Sequence, residues 1–476
     1  MAVSNLTKGS LPHYDALTAA VVLLPSLAIN LRNRYQKMRW LQSQQAPAAR
    51  RTQEAIQAAQ AQPFRVGFIM TLEGFRVGVE QALSRMESGV LSRPERITNM
   101  TSKRLALLRA RREVFSGILA PSLSLTVSRA DIVNESLDYL AALPTEMLLA
   151  DRLSINFRDE YGLDAGGPTR DWFDSLGKAF LESASKSDGI FCIAPDGTLA
   201  PRPFGQCFEN LYAAGRLLGL AVWFGIPLPV PLSDVGCKFL LGEATCPEDV
   251  RRLDPQFFQH RVHMLAQPGG VREMERIIGE PLYFVSVATE LRPSEPLCPG
   301  GGEKIVTEAN KCEYLLLLCE HFLSGGMQKQ IKALLAGFWD IFPQHDLKLA
   351  ELDHRDLALL IAGFGTLDVR EWKEHAQYNS SAQTVKWFWE VVTIFSGEER
   401  ARLLHFVTGS SRLPPQGFAA LNPRFSISLH PWEDAGHLPQ AHTCANNLVL
   451  PMYTTREELK DKLLIALAND GGFGFL

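Results

Sequence analysis

A cysteine and a histidine two residues apart are the first candidates for chemistry in this chain. Cys444 follows His442 in the segment LPQAHTC at 438–444. A thiol has a free pKa of about 8.5, and a nearby imidazole can lower that pKa or deprotonate an incoming amine. The same pair also suits a structural role, because a lone cysteine is commonly a small buried hydrophobe. Spacing alone leaves both roles open.

Strands are predicted on both sides of this cysteine. Apolar residues alternate with serine over 425–429, and two leucines flank a valine over 448–450. Pro439 favours an extended backbone at the residue before it. Cys444 is therefore expected on a loop that enters a strand, which is a rigid position for a nucleophile.

Helix-capping signals surround these strands. Ser396 and Glu399 have the spacing of a capping box, and Gly409 stands where that helix would end. Thr455 and Glu458 repeat the capping spacing before a last helix. These signals predict a compact C-terminal α/β lobe.

A domain boundary is predicted at 363–365, where two glycines flank a phenylalanine. Upstream, about 127–362 alternates helical patterns with short strand-like runs, which indicates a mostly helical α+β domain. Its apolar run at 208–224 is too short to span a membrane and is predicted to be a buried helix.

The first hundred residues have a different composition. The segment 31–62 is rich in Arg, Gln and Ala and predicts an exposed helical extension. Further helical patterns at 75–86 and 102–115 are expected to pack on the next domain, although they could also form a partner-binding arm. The apolar stretch 16–29 contains a proline and falls short of the roughly 20 residues that cross a bilayer. Neither a membrane span nor a secretory signal is favoured.

Composition limits the classes of function. A chain of 476 residues exceeds the usual size of one core, so two or three domains are expected. Its 48 Lys and Arg against 52 Asp and Glu give a net charge of -4, so nucleic acid is not expected as a partner. The eight cysteines are dispersed without a Cys-x-x-Cys pair. This pattern predicts reduced thiols, no metal site, and a cytoplasmic location with the nucleus as the alternative.

The segment around Cys444 resembles the active-site signature of HECT ubiquitin ligases. The resemblance includes the Pro, the His-Thr-Cys, Asn446 and the Leu-x-Leu-Pro strand of LPQAHTCANNLVLPMY at 438–453. It extends in family order over roughly 127–476. The other matching segments are INFRDEYGLDAGGPTRDWF at 155–173, GRLLGLAVWFGIPL at 215–228, VTEANKCEYL at 306–315 and FSGEERARLLHFVTGSSRLPPQGF at 395–418.

The resemblance implies an α+β bilobal HECT fold. A larger, mostly helical N-terminal lobe (101–364) would be joined by a hinge at 363–367 to a smaller α/β C-terminal lobe (365–476). Residues 1–100 would form a helical N-terminal extension that restrains the lobes, stabilises the fold or recruits substrate. An insert at about 241–302 is expected to bind a ubiquitin-conjugating enzyme.

By resemblance, Cys444 accepts ubiquitin as a thioester from the conjugating enzyme and passes it to a lysine of a protein substrate. His442 is a candidate for removing the amine proton. Thr443 could orient the thiol or stabilise an oxyanion, and it could equally satisfy the loop backbone. Phe473, the fourth residue from the end, matches an aromatic that the family uses in lysine transfer. No cofactor or metal is expected.

The N-terminal signature at 155–173 contains acids, a glycine pair and an arginine. We interpret Glu160, Asp164, Gly166, Gly167 and Arg170 as structural, because acids beside a Gly-Gly turn commonly organise loops. Two other functions remain open at this point. One is a cysteine hydrolase that acts on ubiquitin conjugates, and the other is a catalytically silent HECT-like scaffold.

Overall fold

The computed structural model describes residues 52–60, 93–115, 122–158, 160, 166–187, 189–203, 205–288, 293–430 and 437–468. The helical pattern predicted at 75–86, most of the pattern at 31–62, Asp164 and Phe473 lie outside these residues.

Helices form most of the described residues up to Ala362. In order they are α1 (52–60), α2 (Arg93–Val114), α3 (Ile132–Ala142), α4 (Thr145–Leu148), α5 (Gly167–Ala184), α6 (Phe208–Phe224), α7 (Asp234–Leu241), α8 (Pro247–Leu253), α9 (Pro255–Phe257), α10 (Met264–Ala266), α11 (Gly270–Ile278), α12 (Lys311–Ser324), α13 (Gln328–Ile341), α14 (Gln344–Leu349) and α15 (His354–Ala362). A π-helical segment, Phe258–His263, connects α9 to α10.

Two short sheets accompany these helices. β1 (Leu123–Val127) pairs in parallel with β2 (Leu153–Phe157), and the register sets Leu125 opposite Ile155. β3 (Phe191–Ile193) and β4 (Leu199–Pro201) form an antiparallel pair. In β1 and β2 every second side chain is buried, so one face of this sheet packs on the core.

The described residues after Ala362 form helices on a mixed sheet. The helices are α16 (Val369–His375), α17 (Gln383–Ile394), α18 (Gly397–Thr408) and α19 (Arg456–Ala468). The strands are β5 (Ser426–His430), β6 (Gln440–His442) and β7 (Asn447–Pro451). β7 lies in the centre, parallel to β5 and antiparallel to β6. β5 and β7 confirm the two strands predicted around Cys444.

The buried apolar residues of the described ranges separate into three cores. The large core runs from Ile56 to Ile361, the small core from Val235 to Leu323, and the C-terminal core from Leu367 to Leu467. The predicted α+β bilobal fold is confirmed. The chain passes between the large and C-terminal cores within 362–366, which overlaps the hinge predicted at 363–367. The small core extends beyond the predicted insert at both ends.

The centre of the large core is the pair α6 and α13. The prediction of a buried helix at 208–224 is confirmed, because every residue of α6 from Leu211 to Trp223 is buried. Glycines allow the two helices to approach closely: a Cβ on Gly215 would overlap Leu334 O, and a Cβ on Gly337 would overlap Tyr212 O. None of the helices in the described ranges combines the length and apolar character that crossing a bilayer requires.

The N-terminal helices pack on the same core. Ile56 of α1 belongs to the large core, and Thr52 Oγ1 donates to Ala141 O at 3.1 Å. α2 continues through residue 100 without a break, so the predicted limit between extension and lobe falls inside a helix. Arg104 and Arg111 of α2 donate to carbonyls at the C-terminal ends of α6 and α13 respectively. These contacts support the packing role that was predicted for 102–115.

Candidate active site

Cys444 lies between β6 and β7 in the 3-10 turn Thr443–Ala445, which we call the Cys444 turn. Asn446 follows it in the left-handed region, with φ 48° and ψ 40°, a conformation that asparagine tolerates better than most residues. The buried Asn446 side chain donates Nδ2 to Pro423 O at 2.6 Å. The backbone on the C-terminal side of the cysteine is therefore fixed within its own lobe.

Exposure distinguishes the eight free thiols. Cys444 and Cys207 are exposed, whereas Cys192, Cys237 and Cys319 are buried. Burial raises the pKa of the Cys237 and Cys319 thiols, so neither is available as a thiolate. Cys444 differs from Cys207 in its position on a turn between two paired strands.

The other predicted site residues are placed as follows. His442 is exposed at the end of β6, opposite Asn447 of β7. Thr443 is 7% exposed, and its side chain lies against Gly167. Within the described ranges no hydrogen bond joins the His442 ring to the Cys444 thiol. The roles of these residues and of Phe473 stay predictions.

The N-terminal lobe contacts the Cys444 turn through the start of α5. Arg170 donates Nη2 to Thr443 O at 2.8 Å and Nη1 to Asn446 Oδ1 at 2.9 Å. Its Nε donates to Gly166 O at 3.0 Å, which holds the guanidinium over the first turn of its own helix. A Cβ on Gly167 would overlap Thr443 Oγ1. α5 and the Cys444 turn therefore pack directly against each other.

These N-terminal residues were interpreted from the sequence as purely structural. The structure places Gly167 and Arg170 at the candidate active site. Arg170 bonds Asn446 there, although the two residues are 276 positions apart in the sequence. A local signal was present, since a glycine and an arginine three residues later share one face of a helix and can meet the same neighbour. The sequence did not indicate which neighbour that is.

Buried acids form a second contact between the lobes. Asp171 of α5 accepts a bond from Arg129 Nη2 at 2.6 Å, and its Oδ1 lies 3.3 Å from His405 Nε2 on α18. Asp174 accepts the Ser411 backbone N–H at 2.7 Å. Burial alone would raise the pKa of the Asp171 carboxyl, but the His405 hydrogen bond and the Arg129 charge outweigh it, so the net pKa is lowered. Asp171 is therefore held as a carboxylate.

The predicted hinge begins at the end of α15. Gly363 has φ 64° and ψ -172°, and a Cβ there would overlap Leu413 O and the Pro227 ring. Phe364 and Leu413 then exchange backbone hydrogen bonds of 2.9 and 3.2 Å. A glycine is required here by both the backbone conformation and the close approach.

The aromatic and apolar residues of the predicted insert at about 241–302 differ in their burial in the small core. Phe258, Leu265 and Phe284 are fully buried. Phe257 and Tyr283 are partly exposed, as is Met264. The buried set forms core, and Phe257 and Met264 pack against it while their side chains remain partly exposed. Within the described ranges no cluster of three His, Cys, Asp or Glu side chains could hold a metal ion.

The fold and the site define a two-lobed α+β protein with an exposed cysteine on a turn where its lobes meet. A family model described as HECT-domain (ubiquitin-transferase) matches residues 172–476, which is more than half of the chain. The chain therefore belongs to the HECT-domain family, as the sequence resemblance indicated.

Relatives agree with this assignment. The chain is 33% identical over 360 residues to the E3 ubiquitin-protein ligase NEDD4 of Rattus norvegicus, covering 72% of this chain and 39% of the relative. It is 33% identical over 370 residues to the E3 ubiquitin-protein ligase ptr1 of Schizosaccharomyces pombe, covering 75% and 11%. Smurf1 of Drosophila melanogaster, an E3 ubiquitin-protein ligase, is 34% identical over 369 residues, covering 73% and 34%. The chain thus spans about two fifths or less of each relative.

Proposed function

We propose that this chain is a HECT-type ubiquitin-protein ligase. It accepts ubiquitin from a ubiquitin-conjugating enzyme as a thioester on Cys444 and transfers it to a lysine of a protein substrate. The proposal is supported by membership in the HECT-domain (ubiquitin-transferase) family. The observation that carries it is an exposed thiol on a turn whose flanking groups are hydrogen-bonded by both lobes.

In the first step the Cys444 thiolate attacks the thioester carbonyl that links ubiquitin to the conjugating enzyme. A carbon–sulfur bond forms at Cys444, and the thiolate of the conjugating enzyme leaves. One thioester replaces another, so this step depends on proximity and on a thiolate more than on a driving force. An exposed cysteine on a short turn can reach a thioester that is carried by a second protein.

In the second step a lysine amine attacks the Cys444 thioester, an amide bond forms, and the Cys444 thiolate leaves. The free lysine pKa is about 10.4, so a base must remove a proton from the amine. His442 is our candidate for that base because it is exposed two residues before the thiol. We assign Phe473 to lysine transfer by its family position, and Thr443 to support of the turn.

The conjugating enzyme is proposed to bind the surface of the segment that encloses the small core. Its partly exposed apolar residues supply contact area, and Ile277 of α11 is 57% exposed. Protein interfaces typically combine such apolar anchors with a polar rim. For the compartment we propose the cytoplasm or nucleus, supported by eight cysteines without a disulfide.

A charging assay tests the first step. The chain is incubated with activating enzyme, ATP, ubiquitin and a panel of conjugating enzymes, and adducts are separated without reductant. We expect a thiol-reducible ubiquitin adduct in the wild-type protein and in Cys207→Ala, which removes the other exposed thiol, but none in Cys444→Ala. Release of free ubiquitin from chains would instead indicate a hydrolase. Folded protein without any adduct would indicate a scaffold.

A chase assay tests the second step. We expect His442→Gln and deletion of 473–476 to retain the Cys444 thioester but to slow its discharge to free lysine. The loss should be on the order of 100-fold for His442→Gln if it supplies general-base catalysis. The control is His345→Gln, which changes a 72% exposed histidine elsewhere. Discharge of either altered protein at the wild-type rate would refute the role of that residue.

A further inference from the structure

Arg170 connects two groups on either side of the candidate nucleophile. Its two terminal nitrogens reach the Thr443 carbonyl, one residue before Cys444, and the Asn446 side chain, two residues after it. A guanidinium presents several N–H groups in one rigid plane, so it can hold two acceptors at a fixed separation. The cysteine therefore lies between two points held by one side chain.

This arginine is itself fixed. Its Nε bond to Gly166 O keeps the guanidinium over the N-terminal turn of α5, and the side chain is half-buried. Gly167, also on that turn, leaves no space between α5 and Thr443. Arg170 is therefore held by its own helix, and it contacts the Cys444 turn from a fixed position.

The contact depends on the arrangement of the lobes. Arg170 belongs to the N-terminal lobe, and its acceptors belong to the C-terminal lobe, which joins through the hinge at 363–367. Separation of α5 from the Cys444 turn would break both hydrogen bonds at once. The two bonds therefore form only while the lobes are docked as they are in this structure.

We propose that Arg170 is a positioning residue, which fixes the Cys444 turn against the N-terminal lobe while ubiquitin passes from Cys444 to lysine. This inference rests on the proposed ligase function and adds a residue of the other lobe to it. Asn446 also fixes the turn, since its Oδ1 accepts a hydrogen bond from Arg170 and its Nδ2 donates one to Pro423 O.

The lysine-transfer step should be the more sensitive one. Thiolates are strong nucleophiles, and the exchange of one thioester for another tolerates some freedom in the turn. An amine must lose a proton and approach the carbonyl in one orientation, and small displacements in such steps cost up to about 100-fold in rate. A loosened turn is therefore expected to slow discharge more than charging.

Single-turnover assays on the full 476-residue chain test this. Charging by a loaded conjugating enzyme and discharge to free lysine are timed separately for wild type, Arg170→Ala and Arg170→Lys. We expect the charging rates of all three proteins to agree within about 2-fold. Discharge of Arg170→Ala should be slowed on the order of 10- to 100-fold. Arg170→Lys should restore the discharge rate only in part, because lysine keeps the charge but lacks the planar set of N–H donors that can bind two acceptors.

Two further variants separate positioning from general stability. Arg158→Ala removes an exposed arginine of the same lobe that pairs with Glu135 at 3.0 Å, and both of its rates should equal those of wild type. Asn446→Gly keeps the left-handed backbone and removes the acceptor. Because both changes remove the hydrogen bond between Arg170 and Asn446, Arg170→Ala should slow discharge less in this background than in wild type. Thermal unfolding is measured in parallel.

The outcomes are distinguishable. Absence of any Cys444 thioester in wild type would refute the ligase function, and this inference with it. Normal wild-type charging with equally fast discharge by Arg170→Ala would refute the inference alone. Equal loss of both rates together with earlier unfolding would show that Arg170 serves stability rather than positioning. Strictly additive effects of Arg170→Ala and Asn446→Gly would refute the shared role of Asn446.

Discussion

Gly167 lies directly against Thr443, the residue before Cys444, although the two belong to different lobes. A Cβ at Gly167 would overlap Thr443 Oγ1 and lie 3.1 Å from Thr443 Cβ. Both are buried, so neither can move away at low cost. Because glycine has no Cβ, α5 can approach the Cys444 turn this closely at Gly167.

We expect Gly167→Ala to destabilise the protein and to slow discharge of the Cys444 thioester. Alanine favours a helix over glycine by about 1 kcal/mol, but overpacking a close contact costs about 1–3 kcal/mol, so the net effect should be a loss. Thermal unfolding and lysine discharge measure the two effects.

Gly397→Ala is the matched control for this substitution. Gly397 is also the first residue of a helix, α18, and nothing lies within 4 Å of a Cβ added there. That variant should be as stable as wild type or slightly more so. Equal unfolding temperatures and discharge rates for the two variants would contradict the close contact between the lobes.

At the scale of elements, local patterns predicted local structure well. The capping box of α18 is present, with Glu399 accepting Ser396 N at 2.7 Å and Glu399 N donating to Ser396 Oγ at 3.2 Å. Gly409 ends that helix at φ 75°. Glu458 N likewise donates to Thr455 Oγ1 before α19. Such signals depend on residues three or four apart, so the sequence contains them completely.

Elements defined by distant contacts were not predictable in the same way. β6 has three residues, Gln-Ala-His, without apolar alternation, and it is a strand because β7 pairs with it. The pattern at 102–115 predicted a helix that packs on the next domain, but it did not indicate that Arg104 and Arg111 would bind the free carbonyls that end two other helices. A pattern predicts that a helix forms, but not which helix end its side chains will meet.

The candidate site shows the same division. Cys444 and the strands β5 and β7 could be predicted from the sequence and the family resemblance. The contacts of Arg170 and Gly167 with the Cys444 turn could not be predicted, because α5 and the turn meet only after both lobes have folded and docked. A bond across 273 residues, such as that from Arg170 to Thr443 O, leaves no periodicity in the sequence.

At the scale of the whole molecule, the lobes are joined by buried charges as well as by the Cys444 turn. Asp171 is 3% exposed and contacts both Arg129 of its own lobe and His405 of the other. Asp174, Glu160 and Lys178 are further charged groups of this network. Removing one charge from a buried network leaves its partners uncompensated, which costs more than the loss of an exposed ion pair.

Asp171→Asn should therefore lower the free energy of unfolding by about 2 kcal/mol at pH 7, measured by denaturant unfolding. The carboxyl pKa is lowered in the folded protein, so its stabilisation is fully present above the ordinary value of 3.8 and is lost as pH falls through the folded-state pKa. The difference between wild type and Asp171→Asn should accordingly decline below about pH 3.8. Asp151→Asn, in an exposed pair 3.8 Å from Arg112, should cost under about 1 kcal/mol. Equal costs for the two variants, or a difference that grows below pH 3.8, would contradict the role of Asp171 in joining the lobes.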